Sequence, residues 1–326
     1  MNMKLFRTLT AASAAVFFAG ASIAQTITLR SADTHPEDYP TVQAVKYMSD
    51  LLQKSTDGRI KIEVFHSRQL GEEKDTIEQT RFGVIDMNRV NLAPFNNLIP
   101  ETAVPGLPFV FRSVEHMRKV MDGPIGDEIL AAFTPHDLIG LAFYDSGARS
   151  FYNTKHAIHT PGDLKGLKIR VQQSDLFIAM INALGANATP MPFGEVYSSL
   201  QTGVIDGAEN NWPSYESTKH YEVAKFYSLS QHSLSPEVLV MSKAAWDKLS
   251  ADDQKAVKDA ARASVAKMRE LWDARESSSR ATVEAAGSQI NEVGKAPFIE
   301  AMKPVYAQFV TDDKLRDLVA RIQAVE

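Results

Sequence analysis

The residues best suited to chemistry in this 326-residue chain are cations and amides at the ends of apolar runs. In Leu167-Lys168-Ile169-Arg170-Val171-Gln172 apolar and polar side chains alternate, so a strand here puts Lys168, Arg170 and Gln172 on one face. Arg149 follows the run Leu141 to Tyr144 after Asp145-Ser146-Gly147-Ala148. A guanidinium presents a planar fork of donors that matches a carboxylate bidentately, which an ammonium cannot do. Either arginine could therefore hold an organic acid, although taken alone each reads more readily as a solvated surface cation. Signatures of bond-making chemistry are missing: there is no GxSxG, HExxH, GxGxxG or Walker A run, and no Cys. The pairs Glu72-Glu73 and Asp252-Asp253 are sequence neighbours, which point about 100° apart on a helix and suit paired acid and base work poorly. His66, His136, His156, His159 and His220 stand singly among polar neighbours and read as surface residues. The expectation is binding without catalysis, with no cofactor and no metal.

The elements that would position these groups alternate between period-2 and period-3.6 patterns, the mark of mixed α/β architecture. Gln25 to Ala32 reads as a strand. Pro40 opens a helix with the apolar stripe Val42, Val45, Met48 and Leu52, and Thr56-Asp57-Gly58 stops it before a strand in which Ile60, Ile62 and Val64 alternate with charges. Glu72 to Phe82 reads as helix and Val84 to Asn91 as a third strand. Gly83-Val84-Ile85-Asp86 recurs as Gly203-Val204-Ile205-Asp206, each copy followed, eight residues from its Gly, by an Asn, Asn91 or Asn211. Helix-Gly-strand turns are common enough to produce this unaided. The sharper reading is two similar lobes whose strand ends deliver polar side chains to one ligand crevice. After the capping-box pattern Ser250-x-x-Asp253, neither Gly nor Pro occurs from Ala251 to Ala286. One helix of that length would reach roughly 54 Å and cross both lobes, while Ser277-Ser278-Ser279 offers a place to break.

The N-terminus has Lys4 and Arg7 before a small-and-apolar run from Leu9 to Ala24 that ends Ser22-Ile23-Ala24. This is the pattern of a secretory signal peptide over residues 1–24, too short and Ala-rich for an anchor. Removing it takes Lys4 and Arg7 away and moves the formal charge from −5 to −7. That acidity, with no Lys/Arg-rich run, argues against a nucleic-acid partner. The absence of Cys rules out disulfides, thiolate metal sites and lipid attachment after the leader. No later segment has transmembrane length, so a mature chain free in the periplasm, without stable membrane insertion, is expected.

Four motifs in order resemble the substrate-binding subunits of TRAP transporters (tripartite, ATP-independent, periplasmic), the DctP family. They are Ser67-x-Gln69-Leu70-Gly71, Asp163-Leu164-Lys165-Gly166-Leu167-Lys168-Ile169-Arg170-Val171, Pro192-Phe193-Gly194-Glu195-Val196-Tyr197 and Gln201-Thr202-Gly203-Val204-Ile205-Asp206-Gly207-Ala208-Glu209-Asn210. The resemblance covers the whole mature chain. It implies a two-lobe α/β periplasmic binding protein, type II-like, with hinge strands and a long C-terminal helix spanning both lobes. Lobe I would comprise 25–147 with 236–275 returning to it, and lobe II 148–235 with 276–326 returning to it. The protein, expected to be a monomer, would close on a carboxylate-bearing solute and dock on small and large membrane permease subunits. By the same resemblance Arg170 matches the carboxylate clamp, Arg149 a second arginine near that group, Asn210 an amide holding the ligand and Phe193 an aromatic of the wall. Glu73, Asn91, Thr34 and His35 fall where the family varies its substrate contacts, and part of the family has a carboxylate at the position of Asn91. Trp212 either stacks on a sugar ring or packs at a hinge. The segments 33–36, 72–81 and 207–213 look like the branch that binds hexuronates such as glucuronate and galacturonate. C4 dicarboxylates, 2-oxo acids and sialic-acid-like solutes stay open, as does a periplasmic sugar-acid enzyme.

Overall fold

Apolar-polar alternation makes β1 (Ile27–Ala32) and β2 (Ile60–Phe65) strands, and the helix Pro40–Ser55 between them carries the chain back so that they pair in parallel. All four residues of that helix's expected stripe, Val42, Val45, Met48 and Leu52, are buried. This computed structural model describes residues 26–326, and the expected signal peptide, residues 1–24, lies outside the described residues. The first sheet is completed by β3 (Met87–Asn91), parallel to β1, and by β4 (Leu138–Tyr144), giving the order β2-β1-β3-β10-β4 with β10 (Glu237–Ser242) antiparallel between the last two.

The second sheet repeats the plan. Its strands are β5 (Arg149–Asn153), β6 (Lys168–Val171), β7 (Asn187–Pro190), β8 (Gly207–Asn210), β9 (Phe226–Ser233) and β11 (Gln289–Glu292). Read from one edge it runs β7-β6-β8-β5-β9-β11, with β6 parallel to β7 and β8, and β5 antiparallel to β8. The recurring Gly-Val-Ile-Asp sits at the same place in both. Gly83 and Gly203 each take φ +74°, left-handed backbone that glycine tolerates and that ends the preceding helix. Ile85 and Ile205 are fully buried. Asp86 and Arg30 exchange hydrogen bonds across the edge of β1, through the Arg30 amide to Asp86 Oδ2 (2.8 Å) and the Asp86 amide to the Arg30 carbonyl (3.1 Å). Asp206 and Lys168 do the same at 2.9 and 2.8 Å. The chain passes between the sheets at residues 145–148 and again at 234–236, two short irregular crossings that join the lobes.

The long helix is continuous from Ala251 to Ala285, 35 residues or roughly 52 Å, with the Ser250 hydroxyl accepting from the Asp253 amide at its start. It does not break at the serine triplet, where Ser277 and Ser278 turn their hydroxyls back onto the carbonyls of Asp273 and Arg275 and Ser279 is buried. One side rests on the helix Pro40–Ser55 and β4, and its far end rests on the helix Trp212–Ser217 of the second lobe. Arg275 on this helix bonds Asp38 of the first lobe (2.9 Å) and Glu216 of the second (2.7 Å). The last segment corrects the expectation that all of 276–326 belongs to lobe II. β11 joins the second sheet and the helix Lys295–Phe309 packs on Asp175–Ala183, but the final helix Asp313–Ala324 returns to lobe I. Its stripe Leu315, Leu318, Val319 and Ile322 is buried there, and Arg321 forks onto Glu128. No described helix is long and apolar enough to cross a membrane.

Candidate functional site

Between the lobes, where the strand ends of both sheets meet, a cleft with about 290 Å³ of space free of atoms, part of it open to solvent, is lined by residues of both halves. Polar contacts bring the lobes together around it. Tyr39 Oη lies 2.9 Å from Ser214 Oγ, and the Gly194 amide reaches Glu72 Oε2 at 3.4 Å. A Cβ at Gly194 would stand 2.3 Å from Glu72 Oε1, so a side chain here would displace the Glu72 carboxylate and the Arg68 guanidinium from their present places.

Lobe II supplies the donors. Strand alternation turns Ile169 and Val171 into the core and Arg170 into the cleft, where it is only 2% exposed. Its Nε and Nη2 donate to the Met191 carbonyl (3.1 and 2.8 Å), and Phe193 lies under the guanidinium, its centroid 5.8 Å away. No carboxylate is within salt-bridge distance of Arg170 among the described residues, and burial pulls its pKa down from the ordinary value. Arg149 is placed differently. It forks onto Glu209 (Nε to Oε2 2.5 Å, Nη2 to Oε1 2.8 Å), and its Nη1 donates to Asn210 Oδ1 at 3.1 Å. Burial would raise the Glu209 pKa, but Arg149 and His232 outweigh it and hold the group at about 2. Asn210 Oδ1 also accepts from the Asn211 amide, so the Asn210 NH2 is the part left to face the cleft.

Lobe I supplies acceptors. Arg89 is buried and held on both sides, by a fork onto Asp33 and by Nη1 to Glu237 Oε2 at 2.6 Å. Glu73, in the first turn of the helix Glu73–Arg81, is half-buried, and burial together with nearby Glu237 pushes its pKa up to about 7. His35 stacks on Tyr39 at 3.7 Å and meets Phe193 edge-on across the cleft at 5.4 Å. Burial first, then Arg89, Arg68 and Arg149, hold its pKa well below the ordinary value, so the imidazole is neutral and its Nδ1 has no partner. The cleft is thus polar in direction: a free cation and an amide donor on one wall, carboxylates and a neutral imidazole on the other. No group of three or more metal-binding side chains occurs among the described residues.

The family model for bacterial extracellular solute-binding proteins, family 7 (DctP), matches residues 31–313. The chain belongs to this family. Its fold is shared by a TRAP periplasmic solute binding protein from Bradyrhizobium sp. solved with α/β-D-galacturonate, 59% identical over 91% of this chain and 100% of that one, TM-score 0.91. A second such protein, from Xanthobacter autotrophicus with β-D-galacturonate, is 57% identical over 91% and 100%, TM-score 0.90. A third, from Chromohalobacter salexigens with D-glucuronate, is 44% identical over 90% and 99%, TM-score 0.88. The family and these neighbours are solute-binding proteins of transport, not enzymes.

In this family 7 chain Arg170, Arg149, Asn210, Phe193, Glu73, Asn91 and His35 all line the cleft, with Thr34. Two of them have their polar atoms largely committed. Asn91 donates to the Ser235 carbonyl and Glu237 and accepts from the Ala93 amide and Ser235 hydroxyl, so it braces the crossing at 234–236. Arg149 positions Asn210 more than it offers a fork of its own. Trp212 is the exception: it does not line the cleft, but opens the helix Trp212–Ser217 and stacks on Tyr227 at 3.9 Å inside the lobe II core. The expected surface position of His220 is also corrected. It is 1% exposed, hydrogen-bonded to Tyr152 Oη at 2.7 Å, and burial lowers its pKa to about 3. Glu237, Ser214 and Gln172 complete the cleft. Nothing in the apolar strand Glu237-Val238-Leu239-Val240-Met241 signals the role of its first residue, whose partner Arg89 is 148 positions away.

Proposed function

We propose that this family 7 chain is the periplasmic solute receptor of a TRAP transporter, that it captures a hexuronate of the galacturonate or glucuronate type, and that it delivers this solute to small and large membrane permease subunits. The observation that carries the reading is Arg170, a buried guanidinium with one edge on the Met191 carbonyl and no carboxylate. A buried cation without a counter-charge is costly unless a ligand brings one, and the solute carboxylate is that ligand. The wall opposite, with Glu73 and Glu237, favours hydroxyl donors over a second anion, which supports a sugar acid over a C4 dicarboxylate. The uronates held by the neighbours described above point the same way. The lobes, roughly 26–144 and 149–233 with the returning segments described, close on the solute because it makes contacts in the closed state that the open state lacks.

Titration calorimetry with D-galacturonate and D-glucuronate tests this. Arg170→Ala should lose about 2–5 kcal/mol of binding, and Arg170→Lys, which keeps the charge without the fork, should also bind poorly. A change under about threefold would overturn the clamp. A thermal-shift screen of uronates, dicarboxylates and 2-oxo acids tests the solute class, and a large shift with another acid and none with any uronate would refute it. Incubation with uronates should leave them chemically unchanged.

A further inference from the structure

Past Phe193 the cleft opens into a second chamber, sharing Thr34 and Phe193 with the Arg170 site and holding about 690 Å³ of space free of atoms, part of it open to solvent. Its chemistry is unlike the lobe I wall. Arg68 from one lobe and Lys219 from the other line it, with the hydroxyls of Ser217 and Tyr197 and the imidazole of His220, and no Asp or Glu is among its lining residues. Both cations sit on left-handed backbone (φ 62° and 58°), which non-glycine residues adopt at a cost and which gathers at functional positions. Their ion pairs are long, 3.5 Å from Arg68 Nε to Glu72 and 4.0 Å from Lys219 Nζ to Glu222. Ser217 Oγ is buried with no partner, and His220, bonded through Nδ1 to Tyr152, keeps Nε2 for another group.

We propose that this chamber receives the second ring of an acidic disaccharide, a 1,4-linked di-uronate whose reducing-end ring is held by its carboxylate at Arg170. In a hexuronate the carboxylate is attached to C5, next to C4, so a substituent on O4 starts only a few bonds from the clamp at Arg170, whose guanidinium lies against Phe193 at the mouth of the chamber. A glycosidic bond from O4 leads past Phe193 into the chamber, where hydroxyls, an aromatic edge and two cations match a second sugar acid. The inference rests on the uronate reading of the Arg170 site.

The test is calorimetry of D-galacturonate and α-1,4-digalacturonate on the full mature chain and on Arg68→Ala/Lys219→Ala, whose melting temperature is checked alongside. Digalacturonate should bind the unaltered protein within tenfold of galacturonate. The double variant should lose at least tenfold for the disaccharide and under threefold for the monosaccharide. Galacturonate binding with digalacturonate more than tenfold weaker would overturn the chamber and leave the uronate site standing, as would equal losses for both sugars in the variant. No binding of either sugar would overturn both readings together.

Discussion

The two lobes carry ions of opposite sign at corresponding positions. Three residues past the repeated aspartate, β3 has Arg89 and β8 has Glu209. On the antiparallel neighbour Glu237 meets Arg89, and Arg149 meets Glu209. Both pairs are buried, with the polarity reversed, and in lobe I Asp33 forks onto the same Arg89, so that end holds one more carboxylate than cations. The lobes part company one strand over: Ala32 and Arg170 hold equivalent registers on β1 and β6, pairing two residues past Asp86 and Asp206. Lobe I thus has a methyl group where lobe II has an uncompensated guanidinium. The matched ion pairs build the frame, and the mismatch leaves one buried guanidinium lining the cleft.

Removing one member of a satisfied buried pair should have the largest effect on the fold. Glu209→Leu strands Arg149 and should cost about 3–5 kcal/mol in urea unfolding. Arg170→Met should leave unfolding unchanged or slightly improved while abolishing uronate binding. If Arg170→Met destabilised the fold as much as Glu209→Leu, the division between frame and site would be wrong. The two asparagines give the same contrast at smaller scale. Asn91→Ala removes partners from Ser235, Glu237 and the Ala93 amide and should cost roughly 1–3 kcal/mol of stability. Asn210→Ala should mainly weaken the solute, by about 0.5–1.5 kcal/mol in calorimetry.

Gly194→Val tests the contact between lobes. Its branched side chain would press on Glu72 and Arg68 and hold the cleft ajar, so affinity should fall while each lobe's unfolding stays as it was. The smallest effect concerns Glu73. Unfolded it ionises near 4.5 and folded near 7, so the folded state keeps the proton through that window. Its contribution to stability is full below pH 4.5 and is lost as pH rises through 7. Glu73→Gln should therefore melt higher than the unaltered protein at pH 8, with the gap closing as pH falls toward 4.5. A gap independent of pH would assign the effect to packing.

Much of the frame was legible because it is local. The stripe of Pro40–Ser55 and the alternation in β2 and β6 are set by neighbours a few residues away, and the repeated Gly-Val-Ile-Asp marks the same helix stop and sheet edge in both lobes. Other features were hidden for the opposite reason. His220 sits in a polar stretch, yet the turn before it folds the ring beneath Tyr152. Trp212 precedes a proline near the crossing, and only its stack on Tyr227 shows that it is core. The final helix has an evident stripe, but a stripe does not say which lobe will cover it.

The sequence by itself determined the α/β alternation, the two-lobe repeat, the uninterrupted stretch that became the long helix, and the face of β6 from which Arg170 projects. These follow from periodicity and from residues with special backbone demands. Tertiary structure alone decided which arginine would be free. Arg149 and Arg170 both lie near strand ends, and what separates them is Glu209, 60 residues from Arg149 and delivered to it by the pairing of β5 with β8. Whether a buried charge is compensated depends on groups that meet only when the sheets assemble, because Coulomb and desolvation energies follow distance in space and not along the chain.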